Sequence, residues 1–94
     1  MPLALEINLS RASEKYLKKL PSKHKRQIAE KLFKLAENPV PTDSSALRGY
    51  EKYYRADIGE HRIVYQFSKI ILSVTLIGKR NDDEVYRKLG RLLG

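Results

Sequence analysis

The sequence predicts a small α+β domain in which a helical hairpin packs on a three- to four-stranded, mainly antiparallel, twisted sheet. Three observations predict it: an alternating apolar segment near the N-terminus, two consecutive stretches with helical spacing, and three more alternating segments joined by short turns. Alternation is typical of half-buried strands and a 3.6-residue spacing of amphipathic helices. We therefore expect the order β-α-α-β-β-β with a short C-terminal helix, as one domain over residues 1–94.

The first strand and the first helix adjoin. Residues 3–9 carry leucine or isoleucine at every odd position, which predicts a strand. Ser10 has a side chain that suits a helix N-cap, and the helix should run from Arg11 to Leu20. Pro21 ends this helix because the residue before a proline is pushed out of the helical conformation.

A second helix should follow at once and complete the hairpin. Ser22 is its expected cap and Glu37 its approximate end. Its apolar stripe consists of Ile28, Ala29, Leu32, Leu35 and Ala36. Residues 38–45 contain two prolines, an aspartate and three hydroxyl residues, a composition that predicts a loop.

The remaining strands form two hairpins. The second strand covers about Tyr53 to Ile58, and Gly59-Glu60 suits a two-residue turn with glycine first. The third strand ends near Phe67, and residues 70–77 return antiparallel after a second short turn. The first turn pairs Ile58 with His61, Asp57 with Arg62, Ala56 with Ile63 and Arg55 with Val64. Asp82 or Asp83 could cap a final helix that bears Val85, Tyr86, Leu89 and Leu92.

Side chains alternate across these strands, so the sheet should have two different faces. The face that meets the helices should carry Tyr54, Ala56, Ile58, Ile63, Tyr65, Phe67, Leu72, Val74 and Leu76. The solvated face should carry Tyr53, Arg55, Asp57, Arg62, Val64, Gln66, Ser73, Thr75 and Ile77. This second face places two arginines on neighbouring strands, with Lys79 and Arg80 at the end of the next strand.

Composition excludes several classes of function. The chain has no cysteine, so it forms no disulfide, thiolate metal site or cysteine nucleophile. Its two histidines are distant in sequence: His61 points away from Arg62, at the rim, and His24 should be solvated among lysines. We expect no metal site and no cofactor. The N-terminus lacks signal-peptide features and the longest apolar run is far below membrane-spanning length, so we expect a cytoplasmic protein without a membrane partner.

The charge predicts an anionic partner. The formal net charge is +8, and residues 10–34 hold nine Lys and Arg against two Glu, a local net of +7. A small, strongly basic protein is expected to bind a polyanion or an acidic protein. The basic helical region is either a solvated helix face or a surface that tracks phosphates.

The arginines of the solvated face suit phosphate chemistry. Arginine gives two parallel hydrogen bonds to phosphate oxygens and keeps its charge. Fixed positive charge of this kind stabilises the negative charge that develops when a phosphate is attacked. Arg62 and Arg80 are the first candidates for this role, with Arg55 close behind.

Several of these motifs carry a family resemblance. The segments that carry it together resemble the RelE/ParE superfamily of type II toxins: Leu47-Arg48-Gly49, the stretch from Tyr54 to Gln66 that contains Arg55 and Arg62, Gly78-Lys79-Arg80, and Val85-Tyr86-Arg87. The match is closest to the RelE branch of mRNA interferases and covers nearly the full chain. The resemblance implies that Arg55, Arg62, Arg80 and Tyr86 are catalytic.

Further properties follow from the resemblance. It implies a metal-independent endoribonuclease that needs no cofactor, enters the ribosomal A site, cleaves mRNA there and is neutralised by a cognate antitoxin. It implies operator DNA as a partner only of the toxin–antitoxin complex. Arg48, Lys52, Lys79 and Arg87 are the expected RNA-binding residues.

Two residues have competing interpretations. Tyr86 either stacks on or orients a codon base, or packs the last helix on the sheet. Asp57 departs from the family pattern, since many relatives carry a basic residue there. It either holds Arg62 by an ion pair and repels the incoming phosphate, or takes part in catalysis as a positioning group or as a general base for the 2′-hydroxyl.

Two other functions remain open at this level. One is a ParE-like toxin that poisons DNA gyrase and has no nuclease site, although Arg80 with Tyr86 favours the RelE branch. The other is an inactive or antitoxin-dependent DNA-binding partner whose basic helices serve only autoregulation.

Overall fold

The fold is a five-stranded sheet between a helical hairpin and a C-terminal helix. It is seen in a computed structural model that describes residues 4–81 and 84–93. The strands are β1 Glu6–Leu9, β2 Ser44–Ala46, β3 Tyr54–Ile58, β4 His61–Phe67 and β5 Ile71–Lys79; the helices are α1 Arg11–Lys18, α2 Ser22–Glu37 and α3 Glu84–Leu93. The strand order is β1-β5-β4-β3-β2, with β1 parallel to β5 and the other neighbours antiparallel. The predicted α+β class is confirmed.

The strand count was predicted too low because the loop prediction missed β2. Its three residues pair antiparallel with β3 at the edge of the sheet, from Ser44 opposite Ala56 to Ala46 opposite Tyr54. An edge strand this short needs only one partner and no apolar alternation, so its composition is that of a loop. The preceding segment is tied to α2 by an ion pair of 2.6 Å between Lys31 Nζ and Asp43 Oδ2.

The predicted caps of the two long helices differ in outcome. Ser10 is the N-cap of α1, where its Oγ accepts a hydrogen bond of 3.0 Å from the Ser13 backbone N–H. Ser22, in contrast, is the first residue of α2; the N-cap is Pro21, and no side chain caps that end. The prediction of a Ser22 cap was therefore wrong, because the preceding proline already supplies the extended entry to the helix. The proposed caps of α3, Asp82 and Asp83, lie outside the described residues.

The β3–β4 register matches the prediction. Gly59 has φ 56°, the left-handed conformation that a two-residue turn with glycine first requires. The turn places Ile58 opposite His61 and Asp57 opposite Arg62. The position of Gly59 in the turn therefore sets which side chains of β3 and β4 share a face.

A bulge in β5 changes the predicted faces farther along the sheet. Val64 pairs with Leu76, but its neighbour Tyr65 pairs with Val74, so Thr75 is an extra residue without a partner on β4. The extra residue shifts the side-chain alternation by one position. Leu76 therefore lies on the face that α3 covers and Ile77 on the face that the hairpin covers, the reverse of the prediction.

Two apolar clusters hold the three layers together. The larger lies between the sheet and the hairpin, around Ile28, Leu35, Ala56, Ile63, Tyr65, Leu72, Val74 and Ile77. The smaller lies under α3 and consists of Leu47, Val64, Leu76, Val85 and Leu89. The second face of the sheet is thus only partly solvated, which the sequence analysis did not predict. Gly78 permits the close approach of α3, since a Cβ there would lie 3.3 Å from the Cβ of Val85.

The caps give a stability prediction. Ser10→Ala should lower the free energy of unfolding by about 1–2 kcal/mol, because it removes the N-cap bond and the 2.6 Å hydrogen bond from Ser10 Oγ to the Thr75 carbonyl. Ser22→Ala is the matched control and should stay within about 0.5 kcal/mol of the parent. Urea unfolding measures both, and equal losses would contradict the assignment of the caps.

Candidate functional site

An arginine held by a carboxylate lies on the face of the sheet that α3 covers. Arg62 Nε donates to Asp57 Oδ1 at 2.8 Å and Nη2 donates to Oδ2 at 3.2 Å, a two-pronged pair across the β3–β4 hairpin. The Arg62 side chain is 13% exposed and that of Asp57 is 32% exposed. The hydrogen bond from Arg62 lowers the pKa of Asp57, and the same bond raises the pKa of Arg62. The pair is therefore charged throughout the physiological range.

Tyr86 completes the positioning of this arginine. Its hydroxyl accepts a hydrogen bond of 2.7 Å from Arg62 Nη1, and the guanidinium carbon lies 5.6 Å from the centre of the ring. The ring also packs against the apolar cluster under α3. Tyr86 therefore packs the last helix on the sheet and also contacts Arg62, and its contact with a codon base stays a prediction.

Arg55 and Arg80 lie around the same carboxylate. Both contribute, after Arg62, to the lowered pKa of Asp57, so their positive charges act at its position. Arg55 is half-buried on β3 and Arg80 is exposed just beyond β5. The Arg80 backbone N–H donates to the Glu60 carbonyl at 2.8 Å, which fixes where the chain leaves the sheet. The structure therefore brings all four candidate catalytic residues to one surface.

The candidate RNA-binding residues are less concentrated. Arg48 and Lys52 are exposed in the turn before β3, and Lys52 has φ 73°, a conformation uncommon outside glycine. Arg87 is exposed on α3 beside Tyr86. Lys79 pairs with His61 and lines a cleft on the hairpin side of the sheet, so it does not face the same way as Arg62.

The two histidines are placed differently from the prediction. His61 is buried, and its Nδ1 lies 2.9 Å from the Tyr16 hydroxyl while its Nε2 lies 2.8 Å from His24 Nδ1. Burial, followed by the nearby His24, lowers the pKa of His61. The expectations of a rim His61 and a solvated His24 were wrong, because folding brings the start of α2 against the start of β4. Sequence spacing gives no signal for a contact between residues so far apart.

The geometry leaves Arg62 able to bind an anion. A guanidinium has five N–H donors, and Asp57 and Tyr86 together accept three hydrogen bonds from Arg62. With respect to the described residues, two N–H groups are left, which is the number that a bidentate contact with phosphate uses. With the charges of Arg55 and Arg80 beside it, this surface is suited to hold one phosphodiester.

No helix in the described part of the chain is long and apolar enough to cross a membrane.

Solved structures of RelE toxins have the same fold. The chain matches a free mutant of the E. coli toxin RelE with a TM-score of 0.80 at 26% identity, over 98% of this chain and 100% of that one. It matches RelE in the intact E. coli RelBE toxin–antitoxin complex with a TM-score of 0.72 at 26% identity, over 84% of this chain and 100% of that one. The match to the archaeal RelE–RelB complex of Pyrococcus horikoshii has a TM-score of 0.71 at 24% identity, over 84% and 98%, and shows the fold alone.

Sequence comparison identifies the family. No sequence match was found among curated proteins. The family model described as the ParE toxin of the type II toxin–antitoxin system parDE matches residues 7–84, most of the chain. Together with the RelE-like fold, this match shows that the chain belongs to the ParE toxin family, within the RelE/ParE superfamily of type II toxins.

Proposed function

We propose that this protein is a ribosome-dependent endoribonuclease toxin that cleaves mRNA in the A site and so inhibits translation. The observation that carries the proposal is the convergence of Arg55, Arg62 and Arg80 around Asp57, with Tyr86 bonded to Arg62. A gyrase-binding surface has no chemical need for an arginine pre-oriented by a carboxylate and a phenol. A phosphoryl-transfer site does, because preorganised donors stabilise the charge that develops in the transition state.

The proposed reaction uses only side chains and water. The 2′-hydroxyl of the mRNA gives up its proton to water and attacks the adjacent phosphate, and Arg62 and Arg80 bind the non-bridging oxygens as negative charge accumulates. The bond from phosphorus to the 5′-oxygen then breaks, which leaves a 2′,3′-cyclic phosphate, and the 5′-oxygen takes a proton from water. Tyr86 orients Arg62 and offers a ring on which a base can stack. Asp57 is a positioning residue, since a carboxylate whose pKa is lowered by Arg62 is a weak base for a hydroxyl proton. The reaction draws on no metal ion or cofactor.

The proposed partners follow from the surface and from the relatives. RelE is seen with the RelB antitoxin in the E. coli and P. horikoshii complexes, and we expect a cognate antitoxin to cover the basic surface of this chain in the same way. Arg48, Lys52, Lys79 and Arg87 would contact ribosomal RNA or mRNA phosphates, and the protein would work in the cytoplasm, where ribosomes are. Operator DNA would be bound only by the toxin–antitoxin complex.

A second function has one observation in its favour. The matching family model is that of ParE, so a gyrase-inhibiting toxin of the same fold is the alternative. Such a toxin would act by binding and would not need Arg62 or Tyr86 for chemistry. A purified translation system and a gyrase supercoiling assay, run with the same preparation, distinguish the two functions. Cleavage of mRNA only when ribosomes are present supports the proposal, and gyrase inhibition without cleavage would overturn it.

The arginines give the first prediction on activity. Arg62→Ala and Arg80→Ala should each lower the rate of mRNA cleavage by about 10²–10³-fold, the usual cost of removing one preorganised donor. Arg26→Ala, which removes an exposed arginine from the hairpin layer, is the matched control and should stay within a few-fold of the parent. Primer extension on a defined mRNA measures all three, and parental rates in either site variant would exclude the arginine mechanism.

Tyr86 allows its two contributions to be separated. Tyr86→Phe removes the acceptor for Arg62 Nη1 but keeps the ring, so cleavage should fall by about 10-fold while the protein stays folded. Tyr86→Ala also removes ring packing on the α3 cluster and should cost both activity and stability. Single-turnover cleavage and thermal unfolding measure the two effects. If the phenylalanine variant were fully active, the hydroxyl would have no catalytic part.

Asp57 gives a prediction on pH. Because its folded pKa is lowered, its contribution to stability is complete above its unfolded pKa of about 3.9 and is lost as the pH falls through the folded value. Asp57→Asn should therefore lower the free energy of unfolding by about 1 kcal/mol at neutral pH, and this difference should shrink steadily as the pH falls below about 4. Urea unfolding across this range measures the difference, and a constant difference at every pH would refute the assignment.

Asp57→Asn also tests the electrostatic field at the site. Removing the negative charge should strengthen ribosome binding modestly, and more so at low salt, where the field is screened least. Glu51→Gln removes an exposed carboxylate from the preceding turn and is the control for net charge alone. An equal gain in both variants would show that total charge, and not the position of Asp57, sets the affinity.

A further inference from the structure

Three potential metal ligands meet on the hairpin side of the sheet, away from Arg62. His24, Glu60 and His61 each offer one ligand atom, and these atoms lie within 4.8 Å of one another. They come from the first turn of α2, the β3–β4 turn and the first residue of β4. The cluster borders a cleft of about 700 Å³ that is also lined by Tyr16, Lys79 and Asn81.

The buried member of this cluster is already oriented. His61 is 3% exposed, and the Tyr16 hydroxyl lies 2.9 Å from its Nδ1. When Nδ1 donates to this hydroxyl, Nε2 carries the lone pair and points at His24. Metal-binding histidines are commonly fixed in this manner, by a partner on the nitrogen that does not bind the metal. Tyr16 would therefore be an outer-shell residue of the site.

The distances are close to those of a tetrahedral metal centre. His24 Nδ1 and His61 Nε2 are 2.8 Å apart, and the rings are nearly perpendicular, at 82°. Two Zn–N bonds of about 2.0–2.1 Å at a tetrahedral angle need the nitrogens about 3.3 Å apart. The two nitrogens must therefore move apart by about 0.5 Å when zinc binds. His24 is only half-buried and Glu60 is exposed on a turn, so both can move by this amount.

We propose that His24, Glu60 and His61 bind a zinc ion, or a similar divalent transition metal, with the fourth position open to the cleft. Two imidazoles and one carboxylate are a ligand set that suits zinc, whereas magnesium and calcium prefer oxygen ligands alone. The ion would join the start of α2 to the β3–β4 turn and so connect the hairpin layer to the sheet. This inference does not depend on the proposed RNA cleavage.

Metal binding would act on the fold and through it on Arg80. An ion that binds only the folded state stabilises it by an amount that rises with its concentration over Kd. The Glu60 carbonyl accepts the hydrogen bond from the Arg80 backbone N–H, so restraining the Glu60 turn also restrains the point where Arg80 leaves the sheet. The ion would therefore act on stability and on the position of Arg80, from the face of the sheet opposite Arg62.

The test is a zinc titration of untagged, metal-free protein by calorimetry and thermal unfolding. A polyhistidine tag must be absent, because it would bind zinc itself. The proposal requires one zinc ion per chain and a rise in Tm with zinc, and no such rise with magnesium. The chain has only two histidines, so both imidazole signals in the NMR spectrum should shift together on zinc addition. No binding, or binding without a change at both rings, would overturn the proposal and leave a hydrogen-bonded histidine pair.

Matched variants locate the ion. His24→Asn keeps a polar group near the position of Nδ1 but removes the imidazole, and Glu60→Gln keeps the shape but removes the charge. Each should weaken zinc binding by more than Tyr16→Phe, for which an outer-shell loss of about 10- to 100-fold is expected. Glu51→Gln, at an exposed carboxylate elsewhere, should leave Kd unchanged. Circular dichroism without zinc checks that each variant is folded. Unchanged zinc affinity in His24→Asn or Glu60→Gln would exclude the site.

Discussion

The pairing of β5 with its neighbours is the constraint on which the other layers depend. β5 lies between β1 and β4, so it joins the parallel and antiparallel parts of the sheet. Its bulge at Thr75 presents a carbonyl to the cap of α1, and its Gly78 gives α3 the room to approach. Without the extra residue, Leu76 and Ile77 would each face the wrong layer, and both apolar clusters would lose a member. One irregularity in one strand therefore lets the sheet be covered on two sides.

The turns and helices that depend on residues adjacent in the chain were predicted from the sequence. Gly59-Glu60 determines the β3–β4 register because few two-residue turns match the twist of a hairpin. Pro21 and the apolar stripe of α2 likewise define the helical hairpin. The bulge, β2 and the histidine pair could not be read from the sequence. Each depends on contacts that form only in the folded sheet, and loop-like composition or regular alternation gives no sign of them.

The same distinction applies to the candidate site. The register alone places Asp57 opposite Arg62, and the structure has them in a two-pronged pair. The contact of Tyr86 with Arg62 depends on how α3 packs, which the sequence leaves open. Asp57 has two opposed effects, since it fixes the direction of one guanidinium and cancels part of the field that attracts phosphate. A site of this composition exchanges some long-range attraction for a better oriented donor.

Arg62 and Arg80 differ in the side-chain entropy that is lost when each of them binds an anion. Three hydrogen bonds hold Arg62 in place before any ligand arrives, whereas Arg80 is exposed, and within the described residues only its backbone is seen to be bonded. Ordering a free arginine side chain costs about 2 kcal/mol of rotamer entropy. The isolated molecule is thus rigid at one donor and loose at the other. A ligand surface that orders the Arg80 side chain therefore contributes to selectivity. An anion that leaves this side chain disordered interacts with only part of the positive charge at the site.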